Sequence, residues 1–259
     1  MIYHYTDTET FFKILHSEKL EMKASHYSIY GDNDYAWSKE QVEPFIEELC
    51  KEKSIEYDNE LFFDPYVISF SKFLSEAMWR MKGHYHKGIA IEFHENIIHK
   101  FALRDINPYV FMECGYQKDI INWLRCSYEE CYPCPTINDY QDDLMLISAC
   151  YINQKYKDQK EYRFLEPYRC TEYFCYAPNC EDNCKFSNDE IDSTEHFIAF
   201  PKEALAGVIV GYHNSKEIVE RMQRALKYKA FDLSKVNIRL EENNHATTRK
   251  RNAPTRRKI

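Results

Sequence analysis

Three short groups of residues carry side chains suited to chemistry: His4, Tyr5 and Thr6 near the start, Ser69 and Ser71 further along, and Gln159 with Glu161 later still. Carboxylates, imidazoles and hydroxyls are the groups of acid–base and electrostatic catalysis. Each group also has an ordinary structural account. A histidine beside apolar strand residues is commonly a satisfied structural group, Ser-x-Ser is commonplace, and Glu161 can pair with Arg163 or face water. Cysteines form the other constellation. Cys170, Cys175, Cys180 and Cys184 read C-x4-C-x4-C-x3-C, and Cys126, Cys131 and Cys134 read C-x4-C-x2-C. Zinc takes four soft ligands in a tetrahedron, usually from two close pairs, a spacing these runs do not strictly follow. Cys170, Cys175, Cys180 and Cys184 are candidate ligands for a structural zinc, with unpaired thiols in an insertion as the alternative. No cysteine sits in a nucleophile motif, so a catalytic thiol is not expected.

The elements that must position these groups follow from periodicity. Ile2 to Tyr5 predicts a short strand, and Thr6-x-x-Glu9 a capping box opening a helix with Phe11, Phe12, Ile14 and Leu15 on one face. Leu20 to Ala24 alternates like a second strand. Ser38-x-x-Gln41 caps a helix presenting Val42, Phe45, Ile46 and Leu49, with Pro44 tolerated in its first turn. Tyr66 to Ser71 reads as a buried strand ending in two hydroxyls, Leu74 to Met81 as a short helix, and Gly88 to Phe93 as a strand. Pro108 to Met112 is a further strand candidate. Helices follow near Ile120 to Leu124 and Leu144 to Tyr151, then strands at Glu161 to Leu165, Phe197 to Phe200 and Leu205 to Val210. A helix from Ser215 to about Tyr228 and a strand near Val236 to Leu240 complete the order.

Strands and helices alternate without a regular βαβ beat, and neither an internal repeat nor a Gly-rich phosphate loop is present. The expected fold is α+β with a mostly antiparallel mixed sheet and flanking helices. A single domain over 1–240 is expected, with a polar Cys-rich insertion at about 167–195 that zinc would order.

Composition agrees with a packed fold. The chain is 44% hydrophobic and 15% aromatic, with 21 Tyr and 16 Phe, which argues against disorder, and its 6 Gly argue against an open, loop-dominated fold. No apolar run reaches the roughly 20 residues that span a bilayer. The opening residues lack the basic and apolar regions of a signal peptide, so a cytoplasmic protein with reduced thiols and no membrane partner is expected. The net charge of -8 is uneven. Arg249, Lys250, Arg251, Arg256, Arg257 and Lys258 crowd the end of the chain, so 241–259 reads as a basic disordered tail, either solubilising or a contact for nucleic acid.

The order of the motifs is similar to the three-part signature of the ADP-ribosyltransferase superfamily: His-Tyr-Thr before a capped helix, Ser-x-Ser ending a strand, and Gln-x-Glu entering a late one. The wider stretch resembles the bacterial domain-of-unknown-function 2971 family. The shared residues are Tyr3-His4-Tyr5-Thr6, Ile68-Ser69-Phe70-Ser71, Met78-Trp79, His86-Lys87-Gly88, Glu92-Phe93, Glu161-Tyr162-Arg163 and Val208-Ile209-Val210-Gly211. The sequence departs from that family's pattern with Tyr35 in place of a proline and Lys82 in place of a tyrosine.

The resemblance implies an ADP-ribosyltransferase-like fold and an enzyme that uses NAD as substrate. Glu161 would stabilise the oxocarbenium-like ribose, Gln159 would orient the acceptor, and His4 would hold the adenosine ribose. Ser69 and Ser71 would brace the pocket, Thr6 belongs to the same opening motif, and Tyr5 or Tyr85 would cover the nicotinamide. The acceptor would be a macromolecule, with nucleic acid (RNA or DNA) ahead of protein, and the enzyme a bacterial toxin or anti-phage effector with a neutralising antitoxin. Two alternatives stand beside it: a non-catalytic nucleotide- or partner-binding module, and a zinc-stabilised nucleic-acid-binding protein.

Overall fold

The aromatic and β-branched run Ile2-Tyr3-His4-Tyr5-Thr6 forms strand β1 (Ile2–Thr6), with Ile2, Tyr5 and Thr6 buried. A computed structural model of the chain describes residues 1–15, 19–26, 65–103, 109–115, 149–166 and 196–241, with isolated positions between 40 and 51. These residues fall into two compact units, one formed by Met1–Leu20, Phe73–Glu95 and the chain from Pro201 onward, the other by Glu21–Lys72 and Asn96–Phe200.

In the first unit β1 runs antiparallel to β4 (Ile89–Phe93), with Tyr3 opposite Glu92 and Thr6 opposite Ile89. β4 runs antiparallel to β8 (Leu205–Val210), the register slipping between Glu92 and Phe93, and β8 pairs in parallel with β9 (Asn237–Leu240). Every residue of β8 is buried, as expected of an unbroken apolar run. Helix α1 (Thr8–Ile14) follows β1 and buries Phe11 and Ile14. Its cap is Asp7 rather than Thr6: the carboxylate of Asp7 accepts from the Thr10 amide at 2.8 Å and from the Thr10 hydroxyl at 2.7 Å. A carboxylate one residue later offers two acceptors to the orphan amides and displaces the threonine from the role.

Helix α2 (Glu76–Met81) is shorter than its periodicity predicts because Ser75 caps it, its hydroxyl accepting from the Met78 amide at 3.2 Å. Helix α4 (Lys216–Tyr228) bridges β8 and β9 and buries Met222 and Leu226. It ends in a Schellman arrangement, Phe231 N–H to Leu226 C=O at 2.9 Å and Ala230 N–H to Lys227 C=O at 3.0 Å, with Ala230 at φ 58°.

In the second unit β3 (Tyr66–Ser71) lies antiparallel to β6 (Glu161–Glu166), placing Ser71 opposite Glu161 and Ser69 opposite Arg163. β6 pairs with β5 (Val110–Glu113), β3 with β2 (Lys19–His26), and β2 with β7 (His196–Pro201). Phe70, Phe111, Phe164 and Phe200 form an aromatic core, which Phe101 of helix α3 (Glu95–Ala102) joins at 5.2 Å from Phe200. Sequence periodicity alone did not predict α3, although Ile98 and Ala102 are buried four residues apart.

The architecture is α+β with mostly antiparallel pairing, and no helix among the described residues is long and apolar enough to cross a membrane. Glu40, Pro44, Glu47, Glu48 and Lys51 are helical and exposed, one face of the helix expected there. Its apolar positions, the helix near Ile120 to Leu124, the candidate zinc ligands Cys170, Cys175, Cys180 and Cys184, and the tail from residue 242 onward lie outside the described residues.

Candidate functional site

The β3–β6 ladder brings two of the three sequence groups together. The hydroxyl of Ser69 donates to Oε1 of Glu161, and the same oxygen accepts from Nε of Arg163 at 2.9 Å. Glu161 is 5% exposed and Arg163 fully buried, so the carboxylate sits in a low-dielectric setting beside a fixed guanidinium. A second contact of Arg163 runs from Nη1 to the carbonyl of Ala149. Ser71, also buried, donates to the carbonyl of Gln159 at 2.9 Å.

Gln159 does not continue the strand. It ends a 3-10 turn (Gln154–Gln159), and Lys160 takes φ 45°, so the two-residue alternation that would aim Gln159 with Glu161 is broken between them. Its side chain is buried, and its backbone carbonyl is what engages Ser71. Arg163 is the residue whose role exceeds expectation: a full-length arginine at an inward strand position two after a glutamate is the sequence signal of a buried pair.

Beneath this group lie two free thiols. Cys114 N–H donates to the Glu161 carbonyl at 2.8 Å and Gly115 N–H to the Cys150 carbonyl at 2.9 Å, which sets Cys114 and Cys150 side by side in one buried cluster with Val67, Ile152 and Leu165. Burial, then a hydrogen bond with Cys150, pushes the Cys114 thiol well above its ordinary range against the pull of Arg163.

The third sequence group lies in the other unit. Tyr5 is packed rather than presented: its ring meets Trp79 edge-on at 5.1 Å, and its hydroxyl accepts from the Ser75 amide at 3.3 Å. Burial holds that hydroxyl above the usual phenol range. His4 is half-buried and Thr6 buried, the Thr6 carbonyl lying so close to Gly88 that a Cβ there would strike it.

Tyr85, by contrast, is 69% exposed. It is the middle of three consecutive left-handed residues, His84, Tyr85 and His86, at φ 49°, 54° and 63°. A side chain in that region costs about 1–2 kcal/mol per residue, so three in succession persist only where neighbours over-determine the turn. The neighbours are identifiable. His86 is buried, with Nδ1 at 2.7 Å from Glu241 and Nε2 at 3.1 Å from Glu76, its ring stacked on Trp79 at 5.3 Å and tilted against Tyr212 at 4.3 Å. Asn214 donates to the carbonyls of Lys87, Gly88 and Gly211. Gly211 is obligatory, since any Cβ would collide with the His86 backbone.

Among the described residues no group of three or more His, Cys, Asp or Glu is arranged to hold a metal ion. No protein-family model matches the chain, and no curated protein or solved structure matches it either.

Proposed function

We propose that the chain is an NAD-dependent ADP-ribosyltransferase that modifies a macromolecule, nucleic acid foremost, and acts as a bacterial toxin or anti-phage effector restrained by a neutralising protein. The observation that carries this is the hydrogen bond from Ser69 to Glu161, which joins the Ser-x-Ser and Gln-x-Glu motifs side chain to side chain. Scission of the nicotinamide–ribose bond sends the electron pair to nicotinamide, which leaves neutral, so no general acid is needed. The remaining demand is stabilisation of a cationic ribose, and a preorganised carboxylate meets it without reorganising. The acceptor then bonds to the ribose carbon and releases a proton.

Ser69 and Arg163 hold the same carboxylate oxygen of Glu161 and so fix its rotamer. The pairing with Arg163 equally favours a second function, a non-catalytic module in which Glu161 is a structural ion pair. The roles of His4 and Thr6 toward NAD follow from the resemblance to the superfamily, and Tyr5 is committed to packing on Trp79.

Incubation with labelled NAD and total cell extract, separated into protein, DNA and RNA, tests the transferase directly. Label in one macromolecular fraction, lost in Glu161→Gln while NAD binding persists, is the expected result. A folded protein that neither turns over NAD nor labels any fraction excludes it, and indifference to Glu161→Gln favours the module.

A further inference from the structure

Against the chain's net charge of -8, the segment Arg80-Met81-Lys82-Gly83-His84-Tyr85-His86-Lys87 holds three full positive charges, two histidines and no acid. Arg80, Lys82, His84, Tyr85 and Lys87 are exposed, and His86 alone turns inward as the anchor of the turn. The backbone of His213 bonds to His86 at 3.2 Å, which adds a further exposed imidazole to the same surface. Of the nearby carboxylates, Glu76 bonds Arg80 and His86, Glu241 bonds His86, and Asp7 caps α1 close enough to His84 to feel its charge.

From this juxtaposition we infer that the left-handed turn at 82–88 is a contact surface for single-stranded nucleic acid, with Tyr85 as the platform for one base and Lys82 and Lys87 on the flanking phosphates. Three properties favour that partner. A tyrosine with most of its surface in water and its backbone held in a fixed turn offers a ring for stacking, and base stacking on a ring tolerates any sequence. Lys82 and Lys87 flank the tyrosine along the chain, which suits the alternation of base and phosphate along a strand. A turn held in strain by Asn214, Gly211 and His86 needs no ordering when the strand arrives. The inference deepens the transferase proposal by giving its acceptor a place to bind, and rests on that proposal only for what happens to the acceptor afterwards.

The full chain is titrated, without NAD, into fluorescein-labelled uridine and thymidine oligonucleotides of about 12 nucleotides, within the span of one binding groove, and into a hairpin duplex of the same composition. Single strands are expected to bind more tightly than the duplex, and the preferred one identifies the partner as RNA or DNA. Tyr85→Ala should weaken binding about tenfold, one stacked base. Lys82→Ala with Lys87→Ala should reduce the slope of log affinity against log salt by about 1.4, two phosphates on a single strand. NAD turnover by that double variant, measured as released nicotinamide, should match the parent, which separates failure of the surface from failure of the transferase.

Replacing the six basic tail residues with serine should lower affinity without abolishing these differences. No binding by the parent, a preference for duplex, loss of all binding with the tail, or equal affinity in the Tyr85 and lysine variants overturns the inference. Far-ultraviolet circular dichroism confirms that each variant is folded.

Discussion

Ser69 and Glu161 are joined by a hydrogen bond across 92 residues of sequence, and the guanidinium of Arg163 closes on the same carboxylate oxygen. A serine hydroxyl and an arginine sharing one acceptor fix the orientation of the carboxylate. The stability of the second unit therefore depends on the pair being intact more than on either member's size.

Removing only the arginine exposes that dependence. Arg163→Met is expected to destabilise the protein by about 3–5 kcal/mol, because Glu161 is left buried without its ion-pair partner. Adding Glu161→Gln to Arg163→Met should recover a large part of the loss, and Ser69→Ala alone should cost about 1.5–3 kcal/mol, a hydrogen bond to a charged group. Urea unfolding of the single and double variants gives the coupling energy directly. Additive losses would show that Glu161 and Arg163 do not act as a pair.

Much of this arrangement was legible beforehand because strand periodicity and chemistry coincided. Ser69 and Ser71 end one apolar run and Glu161 begins another, so pairing of the two runs sets them face to face. The Glu161–Arg163 pair was among the ordinary accounts of the glutamate, but the depth of Arg163 was not, since periodicity marks a face and not how much chain covers it. Gln159 was misdirected because one left-handed residue, Lys160, resets the alternation, and a lysine gives no signal of positive φ. The turn at His84 to His86 was equally silent: its conformation comes from Trp79, Tyr212, Asn214 and Gly211, all tertiary neighbours. The packing of Tyr5 on Trp79 is a contact that its motif does not signal.

The paired thiols should be silent to alkylation in the native protein. Iodoacetamide at pH 8, followed by peptide mapping, is expected to leave Cys114 and Cys150 unmodified until denaturant is added, since the thiolate is the nucleophile and burial suppresses it at Cys114. The folded-state value at Cys114 lies above the ordinary 9.0, so the folded state favours the protonated thiol. Its contribution to stability is fully present below 9.0 and declines as pH rises from there toward the folded-state value. Cys114→Ala should flatten that part of the alkaline stability curve, and an unchanged curve would contradict the assignment.

Ala230 offers a stabilising change far from any chemistry. It occupies the left-handed position of the α4 Schellman motif at φ 58°, where glycine carries no Cβ penalty. Ala230→Gly should raise stability by about 0.5–1 kcal/mol, the strain relieved exceeding the entropy that glycine adds to the unfolded chain. A fall in the urea midpoint would show that the helix end relaxes differently.

Tyr85 separates the cost of the strained turn from its use. Its ring is exposed and its backbone sits at φ 54°, so Tyr85→Gly removes little packing and relieves one left-handed residue. The variant is expected to be about 0.5–1 kcal/mol more stable than the parent by urea unfolding, after allowance for glycine's unfolded-state entropy. The same change should weaken binding of single-stranded oligonucleotides as Tyr85→Ala does, because both lack the ring. Stability gained and affinity lost in one substitution is the signature of strain retained for function. A destabilised Tyr85→Gly with unchanged affinity would instead make the ring a structural element of the turn, and the surface role would then fall.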